Sequence, residues 1–220
     1  MGGFSTRKAR QVQQRLAIRV DEHDRFQNPP RRICGLDVAY LGSEAIGAAV
    51  ALSFPDLQIL EQRTIRCPVP VPYIPTLLSF REFSPFSLAF KALQHQPDLC
   101  FLDAHGRAHP YKLGAASHFG VLKNVPTIGV AKRILCGQVR EGQLGYDEIF
   151  LGDDVIGARV TSKKGYNPIF VSIGHRVSLS TAVKMTQLCT TKYKLPEPTR
   201  LAHKLATESR RKLKNGDTVE

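Results

Sequence analysis

RICGLDVAYLGSEAIGAAVALSFPDLQILEQRTIR, residues Arg32 to Arg66, is the stretch whose reading decides the fold. It holds three strand-like apolar runs, 32–40, 45–54 and 57–66, each bounded by turn residues. The connections Leu41-Gly42-Ser43 and Phe54-Pro55-Asp56 are short enough for hairpins. Downstream comes a proline-dense loop from Cys67 to Pro75. Ser84-Pro85, an N-cap followed by proline at the first helical position, predicts a helix to about Gln94. A strand (98–103), a loop, a helix (111–123) and a strand (126–131) follow. After Lys132 the pattern is less regular. It suggests strands at 155–161 and 168–173, joined by Lys163-Lys164-Gly165, and helices at 178–190 and 198–213. Upstream, Ser5–Phe26 reads as an amphipathic helix with Val12, Leu16, Arg19 and His23 at helical spacing, stopped by Asn28-Pro29-Pro30. Hairpin-linked strands followed by alternating helix and strand imply an α/β fold. Its mixed sheet has three antiparallel strands, then parallel ones, with helices on both faces. A length of 220 residues suits one domain.

Four apolar runs end on or pass through a charge: Ile33–Asp37, Leu77–Glu82, Leu99–Asp103 and Ile128–Lys132. Burying a charge costs several kcal/mol or more unless something pairs with it. Asp37 falls mid-strand on the first strand and Asp103 at the C-terminal end of the fourth, so neighbouring central strands would bring them together. Glu82 follows the proline loop and could close the group from above. Three carboxylates so placed repel one another unless a cation sits between them. Hard divalent cations such as Mg²⁺ take ligands of this kind.

Thirty-one Lys and Arg against 19 Asp and Glu give a net charge of +12, which favours polyanionic partners such as nucleic acid. Five scattered cysteines without a CxxC pair point to neither a disulfide framework nor a zinc site and suit a reduced compartment, with cytoplasm or nucleus as the default and the cytoplasm the expectation. No apolar run approaches the ~20 residues of a membrane span, and the N-terminal residues are not of signal-peptide type.

Each candidate has a bland reading beside the functional one. Asp37 alone is compatible with a salt bridge or a turn hydrogen bond; the second acidic strand end, Asp103, favours a shared site. Lys132 either reaches solvent or stabilises charge developing on a phosphate. His175, between a strand and a helix, is a surface residue or a general acid/base, and Ser178 is a helix N-cap. His105 and His109 lie four apart, but Gly106 and Pro110 make that segment a loop rather than a helical zinc face. His109 is structural or substrate-facing. Tyr73 in Pro72-Tyr73-Ile74-Pro75 is either packed on the core or an exposed wedge on a rigid loop, of the kind that enters a base stack.

GLDVAY, PYIP…LSFRE, FLDAHGRAHPYKLGAASHFG, VPTIGVAKRIL and VSIGHRVSLSTA together, from about Arg32 to Thr181, resemble the endonuclease V family. The resemblance implies a ribonuclease H-like fold and hydrolysis, with Mg²⁺ or Mn²⁺, of the second phosphodiester 3′ to inosine. The implied substrate is deoxyinosine in DNA, with inosine in RNA as an alternative, and the protein is expected to act as a monomer. By the family's motifs, Asp37, Glu82 and Asp103 would be catalytic metal ligands, and Lys132 and His175 catalytic basic residues. Tyr73, with Pro72, Ile74 and Pro75, would form the wedge. Gly106, Leu113, Gly114 and Gly129 would line the base pocket, with His109 facing substrate. The family has glycine where this chain has Ala104, which bears on pocket detail rather than chemistry. The rivals are another ribonuclease H-like nuclease, selective for structure, and a non-catalytic nucleic-acid-binding protein on the same fold.

Overall fold

The computed structural model describes residues 4–142, 145–163 and 165–216. Chain order is α1 (Thr6–Ala17), β1 (Arg32–Leu41), β2 (Glu44–Ser53), β3 (Ile59–Pro68), α2 (Leu78–Lys91), β4 (Leu99–Leu102), α3 (Ala115–Lys123) and β5 (Thr127–Ala131). There follow β6 (Gln138–Arg140), β7 (Asp147–Leu151), β8 (Asp154–Val160), β9 (Ile169–His175), α4 (Leu179–Leu188) and α5 (Glu197–Lys214). The strands form one sheet in the order β3-β2-β1-β4-β5-β9-β8-β7-β6. β1, β2 and β3 pair antiparallel, as the hairpin connections require. β4 and β5 add parallel to β1 across helical crossovers, and β9 returns antiparallel. The mixed α/β sheet expected from the sequence is therefore present.

Strand alternation sorts side chains onto two helical layers. Ile33, Phe101, Ile128 and Val171 face α4 and α5, packing with Val183 and Ala202. Cys34, Leu36, Cys100 and Leu102 face α2 and α3, packing with Phe86, Phe90 and Phe119. By the same period of two, Asp37, Asp103 and Lys132 all belong to the α5 face. Gly35 brings that helix close. A Cβ there would lie 1.8 Å from the Pro198 carbonyl oxygen, so only glycine lets α5 rest on β1.

Three expectations need correction. The first helix ends at Ala17 rather than Phe26. Ile18 is 87% exposed, and the chain then runs beside β9, where Arg176 N–H donates to the Asp21 carbonyl and Arg25 N–H to that of Arg176. The second helix starts at Leu78, not Ser84, and carries Pro85 inside it. Burial of Phe86, Ala89 and Phe90 against the sheet outweighs the backbone bond that Pro85 removes. Gly47 helps, since a Cβ there would lie 2.2 Å from the Pro85 carbonyl oxygen. β6 and β7, short and mostly outside the core, have no counterpart in the sequence reading. Of the connection 163–165 between β8 and β9, Lys164 lies outside the described residues. Ser178 does cap α4, its side chain accepting from Thr181 N–H at 3.3 Å. No helix among the described residues is long and apolar enough to cross a membrane.

Candidate active site

Asp37 and Asp103 meet beneath α5. His203, on that helix, places Nδ1 at 2.7 Å from Asp37 Oδ2 and 3.7 Å from Asp103 Oδ2. One ligand atom from each of the three lies within 4.8 Å of the others, an arrangement able to hold a metal ion. Lys132, leaving the neighbouring strand on the same face, bonds Asp103 Oδ2 at 2.7 Å. Glu82 reaches in from α2 and lies alongside this cluster rather than among its converging atoms. Its Oε1 accepts from the Tyr40 hydroxyl at 3.4 Å, while its buried Oε2 has no partner. Burial, followed by repulsion from Asp37 and Asp103, pushes the Glu82 carboxyl up to about 8. Burial and Asp37 likewise raise Asp103, against the pull of Lys132. Carboxylates with raised pKa values, an orphaned carboxylate oxygen and one imidazole make a donor set that fits a hard divalent cation.

His203 had no signal in the sequence. A lone histidine in a basic amphipathic helix reads as a solvated face, and only the Gly35 contact carries it to Asp37. His175 goes the other way. β9 is antiparallel to β5, so His175 pairs with Thr127, at the end of β5 remote from Lys132. Its Nδ1 accepts the Asp21 N–H at 3.1 Å, and burial, then Arg176, lower its pKa. The ring thus tethers the chain at Asp21, away from Lys132.

Beside Asp103 and Lys132 opens a cavity of about 410 Å³, walled among others by Tyr73, Ser79, Ala104, His105, His109 and Gly114. Tyr73 is 68% exposed at its rim, not packed on the core, between exposed Pro72 and half-buried Ile74, with Pro75 also exposed. Burial lowers both His105 and His109 to about 4, so both rings are neutral near pH 7. Ser79 Oγ and His105 Nδ1 are buried without hydrogen-bond partners. Ala104, in the cavity wall, does not have a left-handed backbone, so the position does not require glycine on that ground. Gly106 and Gly129, expected to line the pocket, stand behind its wall. A Cβ on Gly106 would lie 2.0 Å from the Ile173 carbonyl, and one on Gly129 2.5 Å from the Gly106 nitrogen. Leu113 is likewise turned into the core with Leu16 and Val121.

Two walls of the cavity are tied by one side chain. Fully buried Gln13 of α1 donates through Nε2 to the Thr76 carbonyl and to the Leu113 carbonyl, both at 3.0 Å. Arg10 donates to the same Thr76 carbonyl at 3.1 Å and to Gln13 Oε1 at 2.8 Å. Thr76 has φ +66°, strained for a β-branched residue, and these bonds hold it there.

A ribonuclease H-like sheet with an acidic pair, a lysine and a histidine at the edge of its central strands defines a nuclease class of site, with a donor set able to hold a metal ion. A family model described as Endonuclease V matches residues 14–204. Endonuclease V of Thermofilum pendens is 42% identical over 205 residues, covering 93% of this chain and 88% of that one. The crystal structure of endonuclease V from Streptomyces avermitilis superposes with TM-score 0.87 at 38% identity, covering 96% of this chain and 94% of that one. Ciona intestinalis endonuclease V, solved with a 24mer DNA containing an inosine followed by a ribo-adenosine, matches with TM-score 0.86 at 29% identity, over 94% and 98% of the two chains. The chain belongs to the endonuclease V family.

Proposed function

We propose that this protein nicks DNA at the second phosphodiester 3′ to deoxyinosine, with Asp37, Asp103, His203 and Glu82 holding Mg²⁺, for which Mn²⁺ can substitute. The observation that carries the reading is the placement of the acidic cluster at the edge of a base-sized cavity, with Asp103 and Lys132 shared between the two. A cation bound there supplies a lowered water pKa and neutralises charge on the scissile phosphate. Lys132, fixed by Asp103, offers its ammonium to that phosphate as charge develops.

Hypoxanthine has a ring N1–H and no exocyclic amine. Its flipped base meets neutral His105 and His109, the orphaned Ser79 hydroxyl and backbone groups of the cavity. Tyr73 on its proline-flanked loop fills the gap that the base leaves. The net charge of +12 supplies sequence-independent affinity. Matched DNA strands with inosine or adenine at one position, incubated with and without Mg²⁺, test this. A single product one nucleotide beyond inosine, dependent on the metal, is expected; equal cutting of both strands would overturn it. The ribo-adenosine in the Ciona complex favours keeping inosine in RNA as a second substrate, and a matched RNA strand in the same assay decides between them.

A further inference from the structure

Lys132 stands where two clefts meet. The base-sized cavity opens toward the N-termini of α2 and α3. On its other side a groove of about 580 Å³ runs past Lys132 to Asn167 and Lys194. Through those same two residues it continues into a cleft of about 460 Å³, walled by Tyr166, Tyr193 and Arg200. Among the described residues that wall these two clefts there is no carboxylate. Tyr166 and Tyr193 are 48% and 52% exposed. Each has a cation against its ring: Lys163 Nζ at 6.0 Å from the Tyr166 centroid, and the Arg200 guanidinium at 4.6 Å from that of Tyr193. Lys163 is itself anchored on the Lys192 carbonyl at 2.6 Å, and Arg200 on Glu197 at 2.6 Å. Each ring is thus held against a cation and stays about half exposed.

We propose that the two joined clefts are a track for the single strand on the 3′ side of the nick, with bases stacking on Tyr166 and Tyr193 and phosphates passing Lys194. This rests on the functional reading above. With the base in the cavity and the cut bond at Asp103 and Lys132, the chain beyond Lys132 and away from the cavity is the 3′ chain. Charge complementarity and continuity with the cutting site select nucleic acid as the occupant. Stacking on an aromatic ring needs an unpaired base face, which selects a single strand over a duplex.

The test uses single strands with one inosine, a constant 5′ arm and 3′ tails of about two or about ten nucleotides. For the wild-type protein the long tail should lower KM by roughly tenfold, as expected for stacking of one or two bases. In a Tyr166→Ala/Tyr193→Ala double variant the long-to-short KM ratio should fall to about one, and replacing the tail bases with abasic units should do the same to the wild type. Lys194→Glu, which leaves the aromatic packing intact, should also shrink the ratio, so poor folding of the double variant leaves the question decidable. An undiminished tail advantage in both variants overturns the track. Equal cutting of strands with and without inosine overturns the functional reading instead, and the tail ratio is measured independently of it.

Discussion

The cutting centre and the base cavity share a wall, yet the molecule builds them differently. Asp37, Asp103 and Lys132 stand on or just beyond three adjacent central strands, and backbone ladders fix their spacing. The cavity is made of loops, 72–77 and 104–114, whose positions depend on a few side chains reaching across from elsewhere, Gln13 above all. The difference teaches that chemistry here is set by the sheet, whereas recognition is set by tethers. The two should therefore fail separately.

The largest effect should come from the carboxylates. Asp37→Ala or Asp103→Ala should abolish nicking, a loss of roughly 3 kcal/mol or more of barrier stabilisation, while a gel shift still shows the inosine strand bound. Turnover near that of the wild type at ordinary Mg²⁺ would break the comparison outright.

Next is Gly35→Ala. The new methyl cannot coexist with the Pro198 carbonyl at 1.8 Å, so α5 must move and take His203 with it. Nicking should fall by on the order of a hundredfold, about 2.7 kcal/mol, with a clear drop in melting temperature. Unchanged activity in a variant of lowered Tm would show that His203 is dispensable.

Gln13→Leu strikes the tether instead. It leaves the Leu113 carbonyl without its Gln13 donor, at about 1–3 kcal/mol, and the Thr76 carbonyl with Arg10 in place of two donors. KM for the inosine strand should rise, and preference over adenine weaken, with little change in kcat; a fall in kcat alone would contradict the division between the regions.

The smallest change is expected from Tyr73→Ala. An exposed wedge contributes little to the core, so Tm should hardly move. Cutting of duplex inosine DNA should suffer by roughly 1–3 kcal/mol, and single-strand cutting by less. Equal losses on both substrates would leave Tyr73 without a role in strand opening.

What could be read from the residues follows the same division. Period-two alternation and turn chemistry place Asp37 and Asp103 on one face before any coordinates, because strand geometry is local. The antiparallel return of β9 is not local, and a strand's direction leaves no periodic trace. The residues therefore could not show that His175 lies at the end of β5 remote from Lys132. Ser84-Pro85 carries the features of a helix start, yet tertiary burial extends the helix back through Leu78. Gly106 and Gly129 resemble pocket glycines but serve contact between backbones behind the wall, a distinction that only packing makes.

The Gly35–Pro198 contact also bears on when the enzyme becomes dangerous to nucleic acid. His203 lies 166 residues after Asp37, on the last helix of the described chain. Until α5 has been synthesised and docked, the sheet can carry both aspartates without the imidazole that completes their cluster. Long-range closure of this kind comes late in folding, because loop entropy is lost before the contact is gained. The order of assembly thus acts as a safety catch, and in refolding the return of nicking should follow protection of the α5 amides rather than those of the sheet.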